Sequence, residues 1–215
     1  MPLQVHAATA ADADRLAKIE HDAYANNPFT PYLFPGPMPA AAGPGRAAEL
    51  AEQLRTDATT RWTKVVDTDI SPAGGNEGGQ EQVIAMAKWH VYPEAAAAPT
   101  PRTWGPGCNV EACEALFGGL AKMRGRIMAG KPCVYLHLLQ TDPKHERRGA
   151  GGMLIQDMLK SARELGLPVF LESSAVAHAL YLKHGFEDIE KQSLDFAPWG
   201  LDQTHETWAM VCENP

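Results

Sequence analysis

Cysteine is scarce in this 215-residue chain and never paired in sequence: Cys108, Cys113, Cys133 and Cys212 are scattered, with no Cys-x-x-Cys. That sets aside a zinc ribbon or a dithiol redox centre and favours free, partly buried thiols over disulfides. The eight histidines show no metal-ligand spacing, so no metal is expected. No apolar run approaches the ~20 residues of a membrane span, and the N-terminus lacks the basic-then-apolar order of a secretory signal. An intracellular, cytoplasmic protein with no membrane partner is expected. Basic residues are outnumbered, 19 against 26 acidic, for a net charge of −7. That balance argues against nucleic acid as a partner and favours a cationic or amine ligand.

What remains is an ordinary globular composition, 45% hydrophobic and 21% charged. It is long enough for a full core, so a single domain over residues 1–215 is expected. Its most informative stretch runs from Cys133 to Gly152. An apolar, strand-like run, Cys133-Val-Tyr-Leu-His-Leu-Leu-Gln-Thr141, leads through Asp142-Pro143 into Glu146-Arg-Arg-Gly-Ala-Gly-Gly152. Leu154, Met158, Ala162 and Leu165 then recur at helical spacing, Gly166 reads as the helix stop, and Pro168-Val-Phe-Leu-Glu172 reads as a second strand.

Strand, loop, helix and strand in that order hold phosphorylated ligands in open α/β sheets. The first-turn amides and the positive dipole end of the helix face an anion, and glycine lets a phosphate approach the backbone. The loop lacks the first glycine of a dinucleotide fingerprint and the Gly-Lys-Ser/Thr ending of an ATP or GTP loop, which disfavours both.

At these residues the chain resembles the GNAT superfamily of acyl-CoA-dependent N-acetyltransferases. That family's cofactor loop follows the pattern Gln/Arg-x-x-Gly-x-Gly/Ala after a strand and a proline; here it is Glu146-Arg-Arg-Gly149-Ala-Gly151. Downstream, Leu180-Tyr181-Leu-Lys-His-Gly185-Phe186 looks like the family's Tyr-x-x-x-Gly-Phe block. Val5 to Thr9 followed by Asp12 resembles its first strand and capped first helix, with Thr9 and Asp12 at capping-box spacing. The likeness is sharp over residues 133–187 and diffuse elsewhere. It implies an α/β fold with a central, mostly antiparallel sheet, splayed at the cofactor site and flanked by helices.

The resemblance implies acetyl-CoA as acyl donor. The main chain of Leu139, Gln140 and Thr141 would lie along the pantetheine arm. Arg147, Arg148, Gly149, Ala150, Gly151 and Gly152 would hold the pyrophosphate, with Ser174 and Ala177 beside the arm. Two departures stand out. Glu146 sits where the family has Gln or Arg, and Arg147 is expected to hold it in an ion pair, leaving Arg148 for the ligand. Ser174 replaces a common asparagine.

The chemistry needs a neutral amine and a proton for the departing thiolate. Tyr181 aligns with the family tyrosine near the thioester sulfur, a proton donor; its alternative is a core aromatic. His137 can accept a proton near neutral pH. It matches the second histidine of the His-x-His-x-Leu strand of arylalkylamine N-acetyltransferases, and Tyr135 stands at the first. The alternative for His137 is a buried, hydrogen-bonded strand histidine. No cysteine belongs to either block, which favours direct transfer in a ternary complex.

Elsewhere, helices are expected over 11–26, 46–55 and 109–128, and antiparallel strands over 62–67 and 82–91, joined by an exposed, glycine-rich connection at 71–80. Residues 26–37, rich in proline, are expected as irregular loop. Residues 93–108, rich in Ala and Pro, are expected as an irregular insertion unable to bury a core. By resemblance Phe29, Tyr32, Trp89 and His90 are candidate acceptor-pocket walls, with core packing as the plainer role for Phe29 and Trp89. The expected reaction is N-acetylation of a small-molecule amine. A protein lysine or N-terminus, and a non-catalytic acyl-CoA sensor, are the alternatives. GNAT domains often dimerise, so a homodimer is compatible with the resemblance.

Overall fold

Ala13, Leu16 and Ile19 fall three residues apart, and the helix they define, α1 (Ala13–Tyr24), turns all three into one buried seam. The computed structural model describes residues 2–37, 45–57, 59–70, 82–94 and 102–215. Among them, seven strands form a mixed, mostly antiparallel sheet flanked by helices. The chain divides into two compact units. The first is Met1–Asn26, Gly43–Val91 and Tyr135–Leu165, and the second is Asn27–Ala42, Tyr92–Val134 and Gly166–Pro215.

In the first unit, β1 (Leu3–Ala7), β2 (Thr60–Asp67), β3 (Val83–Tyr92) and β4 (Cys133–Thr141) lie in that spatial order. β1 and β2 pair antiparallel with Leu3 opposite Asp67 and Ala7 opposite Thr63. β2 and β3 pair antiparallel with Thr60 opposite His90, the register shifting between Val65 and Val66. Every residue of β3 from Val83 to Trp89 is buried, which is why its apolar run continues without alternation. Thr9 donates its N–H and its hydroxyl to Asp12 Oδ2, at 2.7 and 3.0 Å, and Asp12 also takes Lys64 at 2.5 Å. The Thr9 and Asp12 pair therefore closes the entry to α1 as its spacing predicts.

α3 (Arg46–Thr56) adds Leu50 to a core of Leu16, Ile19, Trp62, Val83 and Met86. α6 (Ala150–Leu165) buries Leu154, Met158 and Ala162 as expected. Leu165, read as part of the same face, is instead 53% exposed at the last turn. Gly166 follows with φ 66°, the left-handed stop that glycine permits.

In the second unit β5 (Val169–Ser174), β7 (Thr204–Cys212) and β6 (Glu187–Asp195) are neighbours in that order, both pairs antiparallel. α4 (Val110–Cys113), a π-helical stretch over Glu114–Gly118 and α5 (Gly119–Met128) together fill the expected 109–128 helix. α7 (Ala175–Lys183) follows β5.

Two expectations need correction here. Residues 26–37 are not all irregular, because α2 (Thr30–Leu33) forms within them. Pro31 sits in its first turn, where no intrahelical N–H is needed. Residues 93–108 do bury apolar surface in their described part: Trp104 and Cys108 pack on a cluster of Leu33, Cys113, Leu116 and Phe196. The glycine-rich connection at 71–80 and residues 95–101 lie outside the described residues. Among the described residues no helix is long and apolar enough to cross a membrane.

Candidate active site

The turn after β4 is fixed before its glycines are reached. Asp142 is buried, donates its N–H to Ile84 O at 2.8 Å, and receives the Arg15 guanidinium at 2.6 Å and the Lys144 N–H at 2.9 Å. Burial alone would raise the Asp142 carboxyl, but the Lys144 amide and Arg15 outweigh it and hold it low. A 3₁₀ turn at Pro143–His145 leads on to Arg147, whose φ is 61°. A side chain in that left-handed region costs roughly 1–2 kcal/mol, and such strain collects at ligand sites. Gly149 follows at φ 90°, with nothing within 4 Å of where a Cβ would stand. Its missing side chain thus serves the backbone conformation and an open approach rather than packing.

α6 then begins at Ala150, and Met153 is the residue whose N–H bonds back to Gly149 O, at 3.1 Å. The amides of Ala150, Gly151 and Gly152 are first-turn donors with no acceptor inside the helix, at the positive end of a 16-residue dipole. This is a cradle for a doubly charged group, and it fits the pyrophosphate of coenzyme A.

The charges around the cradle differ from expectation. Arg148 donates to Asp67 Oδ2 at 2.6 Å and stands 3.1 Å from His145 Nδ1. That guanidinium is the main cause holding the Asp67 carboxyl below its ordinary range. No ion pair joins Glu146 to Arg147 among the described residues, and both side chains are exposed. The pairing therefore differs from expectation: Arg148 is held by Asp67, and Arg147 has no ion pair among the described residues. On the strand before the loop, Leu139 and Thr141 are half-buried. Gln140 is buried, and neither polar atom of its amide has a hydrogen-bond partner among the described residues.

Upstream on β4, His137 is exposed, which replaces the alternative of a buried strand histidine. Its ring lies 5.6 Å from Tyr135 and 5.5 Å from His90, and His90 stacks on Tyr135 at 6.1 Å and 17°. These three form one group. Trp89 does not join them, because neighbouring residues of a strand point to opposite faces. It is buried and lines a separate cavity of about 500 Å³ with Ala7, Thr63, Asp157 and Ser161. Burial pushes the Asp157 carboxyl up.

In the second unit Ser174 is the exposed N-cap of α7, and Ala177 is half-buried two positions into the helix. Tyr181 is buried, its ring edge-on to Phe186 at 5.6 Å. The helix end explains this. Phe186 N–H donates to Tyr181 O at 3.2 Å and Gly185 N–H to Leu182 O at 3.1 Å, with Gly185 at φ 86°. That is a Schellman closure whose flanking apolar contact is Tyr181 on Phe186. Phe29 packs edge-on against Phe196 at 4.8 Å and His205 at 4.7 Å. Tyr32 lies on the same apolar cluster, 3.8 Å from a Cβ position at Gly200.

A family model described as Acetyltransferase (GNAT) family matches residues 76–186, just over half of the chain. The chain belongs to the GNAT acetyltransferase family. Solved structures agree on the fold. The mosquito arylalkylamine N-acetyltransferase-like 5b is 16% identical over 97% of this chain and 98% of its own, with a TM-score of 0.63. A Corynebacterium glutamicum protein described as histone acetyltransferase HPA2 and related acetyltransferase is 20% identical over 99% and 96%, with a TM-score of 0.60. Arabidopsis thaliana NAA60, solved with acetyl-CoA, is 15% identical over 97% and 98%, with a TM-score of 0.57. None of the curated proteins matches the chain.

Within this GNAT chain, sequence reasoning gave no role to Asp142 in the turn before the loop and did not find Asp67 beside it, nor Asp57 and Thr60 beside His90. Asp67 and Asp142 lie 75 residues apart with no shared motif. The signal that was available was the end of a β-prone run, where an acidic side chain can reach the loops of neighbouring strands.

Proposed function

We propose that the protein transfers the acetyl group of acetyl-CoA to the amine of a small molecule by direct attack. The new amide N–C bond forms as the thioester C–S bond breaks. A proton leaves the amine and another reaches the departing sulfur. The observation that carries this reading is the loop of Arg147 to Gly152: a left-handed arginine, a glycine open on its outer side and a helix start with three small residues.

Arg147 and the amides of Gly149 to Gly152 hold the pyrophosphate, and Leu139, Gln140 and Thr141 lie along the pantetheine arm, with Ser174 and Ala177. Bound there, acetyl-CoA supplies an activated acyl group. His137, exposed and next to His90, takes the amine proton, and Tyr181 gives one to the thiolate. Direct transfer is further supported by the thiols. Burial pushes Cys113 and Cys133 up to about 11, so both stay protonated and poorly nucleophilic near neutral pH. An amine acceptor is supported by the net charge of −7.

The test is acetyl-CoA binding by calorimetry, with thiol release measured against aryl amines, polyamines, amino acids and short peptides. Binding with release driven by a small amine is expected. Release driven by peptides alone would move the acceptor to proteins, and binding without release from any amine would favour a sensor.

A further inference from the structure

On β3, His90 is held by a chain of hydrogen bonds that the loop and α7 do not explain. Asp57, just past α3, accepts Thr59 N–H at 3.0 Å and Thr59 Oγ1 at 2.7 Å on one oxygen, and Thr60 Oγ1 on the other. Three donors hold its carboxyl at about 2, led by the Thr60 and Thr59 hydroxyls. The group is ionised at neutral pH and can only accept. Thr60 has one hydroxyl proton and gives it to Asp57. Thr60 Oγ1, 3.1 Å from His90 Nδ1, must then accept from that nitrogen. His90 is thereby set as the Nδ1–H tautomer, with Nε2 the basic nitrogen.

The sheet fixes this arrangement. Thr60 stands opposite His90 in the β2 and β3 register, and Val91 N–H closes the strand end on Thr59 O at 3.0 Å. The imidazole is further oriented by stacking on Tyr135 and by His137 at 5.5 Å. A hydroxyl alone would orient the ring. A carboxylate behind the hydroxyl also stabilises the imidazolium that forms when Nε2 takes a proton, the part that a carboxylate plays by direct contact with Nδ1–H in a catalytic triad and here plays through the Thr60 hydroxyl.

We propose that His90 is a second proton acceptor for acetyl transfer, passing protons with His137, and that Thr60 and Asp57 are its positioning residues. This rests on the acetyl-transfer reading. The proton that His137 takes from the amine is passed to His90 Nε2; at each transfer one N–H bond breaks as the next forms, and release to solvent finally breaks an N–H bond and forms an O–H bond on water.

Two measurements test it. In ¹⁵N-labelled protein, with His90 signals assigned by their loss in His90→Gln, the wild type is expected to show a protonated Nδ1 and an unprotonated Nε2 above the imidazole titration. Thr60→Val is expected to lose that pattern and Thr60→Ser to keep it. With the amine that gives the fastest thiol release, His90→Gln is expected to lower kcat ~10²-fold or more while KM for acetyl-CoA stays within about twofold. Thr60→Val is expected to lower kcat by ~10-fold, with Thr60→Ser restoring most of it. His90→Asn serves the same purpose if His90→Gln misfolds. An Nε2–H tautomer in the wild type, or kcat within about twofold of wild type in a folded His90 variant, would overturn the proposal while leaving acetyl transfer standing. A wild type that releases no thiol with any amine would instead remove the transfer reading, and this inference with it.

Discussion

Arg15→Ala should damage the molecule more than a single charge on α1 suggests. The Arg15 and Asp142 side chains are 10% and 5% exposed and meet at 2.6 Å. Removing the guanidinium leaves a buried carboxylate with the Lys144 N–H as its remaining donor. Breaking a buried pair on one side costs ~3–5 kcal/mol. The surviving amide donor argues for the lower end, and the lost Nε hydrogen bond to Val83 O adds ~1 kcal/mol. A loss of about 3–4 kcal/mol is therefore expected in equilibrium urea unfolding, enough to exhaust much of the stability of an ordinary domain. A cycle with Asp142→Asn should be non-additive by ~1–3 kcal/mol, because the asparagine no longer needs a cation. Since Asp142 opens the turn into the cradle, acetyl-CoA should also bind the single variant ~10-fold more weakly. A stability loss under about 1 kcal/mol, or a cycle additive within ~0.5 kcal/mol, would refute the reasoning.

Gly185→Ala should lower stability by ~1–2 kcal/mol in the same assay, because its φ of 86° strains any side chain although nothing lies within 4 Å of the new Cβ. An unchanged midpoint would mean that the closure onto Tyr181 does not set the helix end. Asp57, Asp67 and Asp142 all have folded pKa values below the unfolded one, so their stabilisation is complete above the unfolded carboxylate value and fades as pH falls through the folded values. Urea midpoints should hold between about pH 5 and 7 and drop between about pH 4 and 2.5; a flat profile there would contradict the assignment. Tyr181→Phe should lower kcat by ~10–100-fold with acetyl-CoA affinity almost unchanged, and loss of affinity alone would make Tyr181 a packing residue.

The stretch from β4 to β5 was legible because local signals agreed: an apolar run, four residues at helical spacing, and Gly166 at the stop. Tyr181 and Gly185-Phe186 were legible for a physical reason as well, since one Schellman closure ties all three together. α2 was missed because Pro31 reads as a breaker, yet a first turn tolerates it. Trp89 and His90 read together as one wall, and strand alternation separates them. The Asp57, Thr60 and His90 chain was illegible because it depends on the β2 and β3 register, which joins residues 30 apart across a connection that carries no pairing signal of its own. The ion pair of Arg148 likewise depends on Asp67, at the far end of β2.

The claim on which the rest stands is that residues 147–152 grip a pyrophosphate so that an acetyl thioester can be presented to an amine. Calorimetry comparing acetyl-CoA with acetyl-pantetheine, which carries the same thioester without the nucleotide portion and its pyrophosphate, measures what that portion adds, and a variant of the loop assigns the share that the loop supplies. Acetyl-CoA should bind at least ~100-fold more tightly, and Gly149→Val, which forces a β-branched side chain to φ 90°, should erase most of the difference. Equal affinity for the two ligands, or full retention of acetyl-CoA binding by Gly149→Val, would contradict the account.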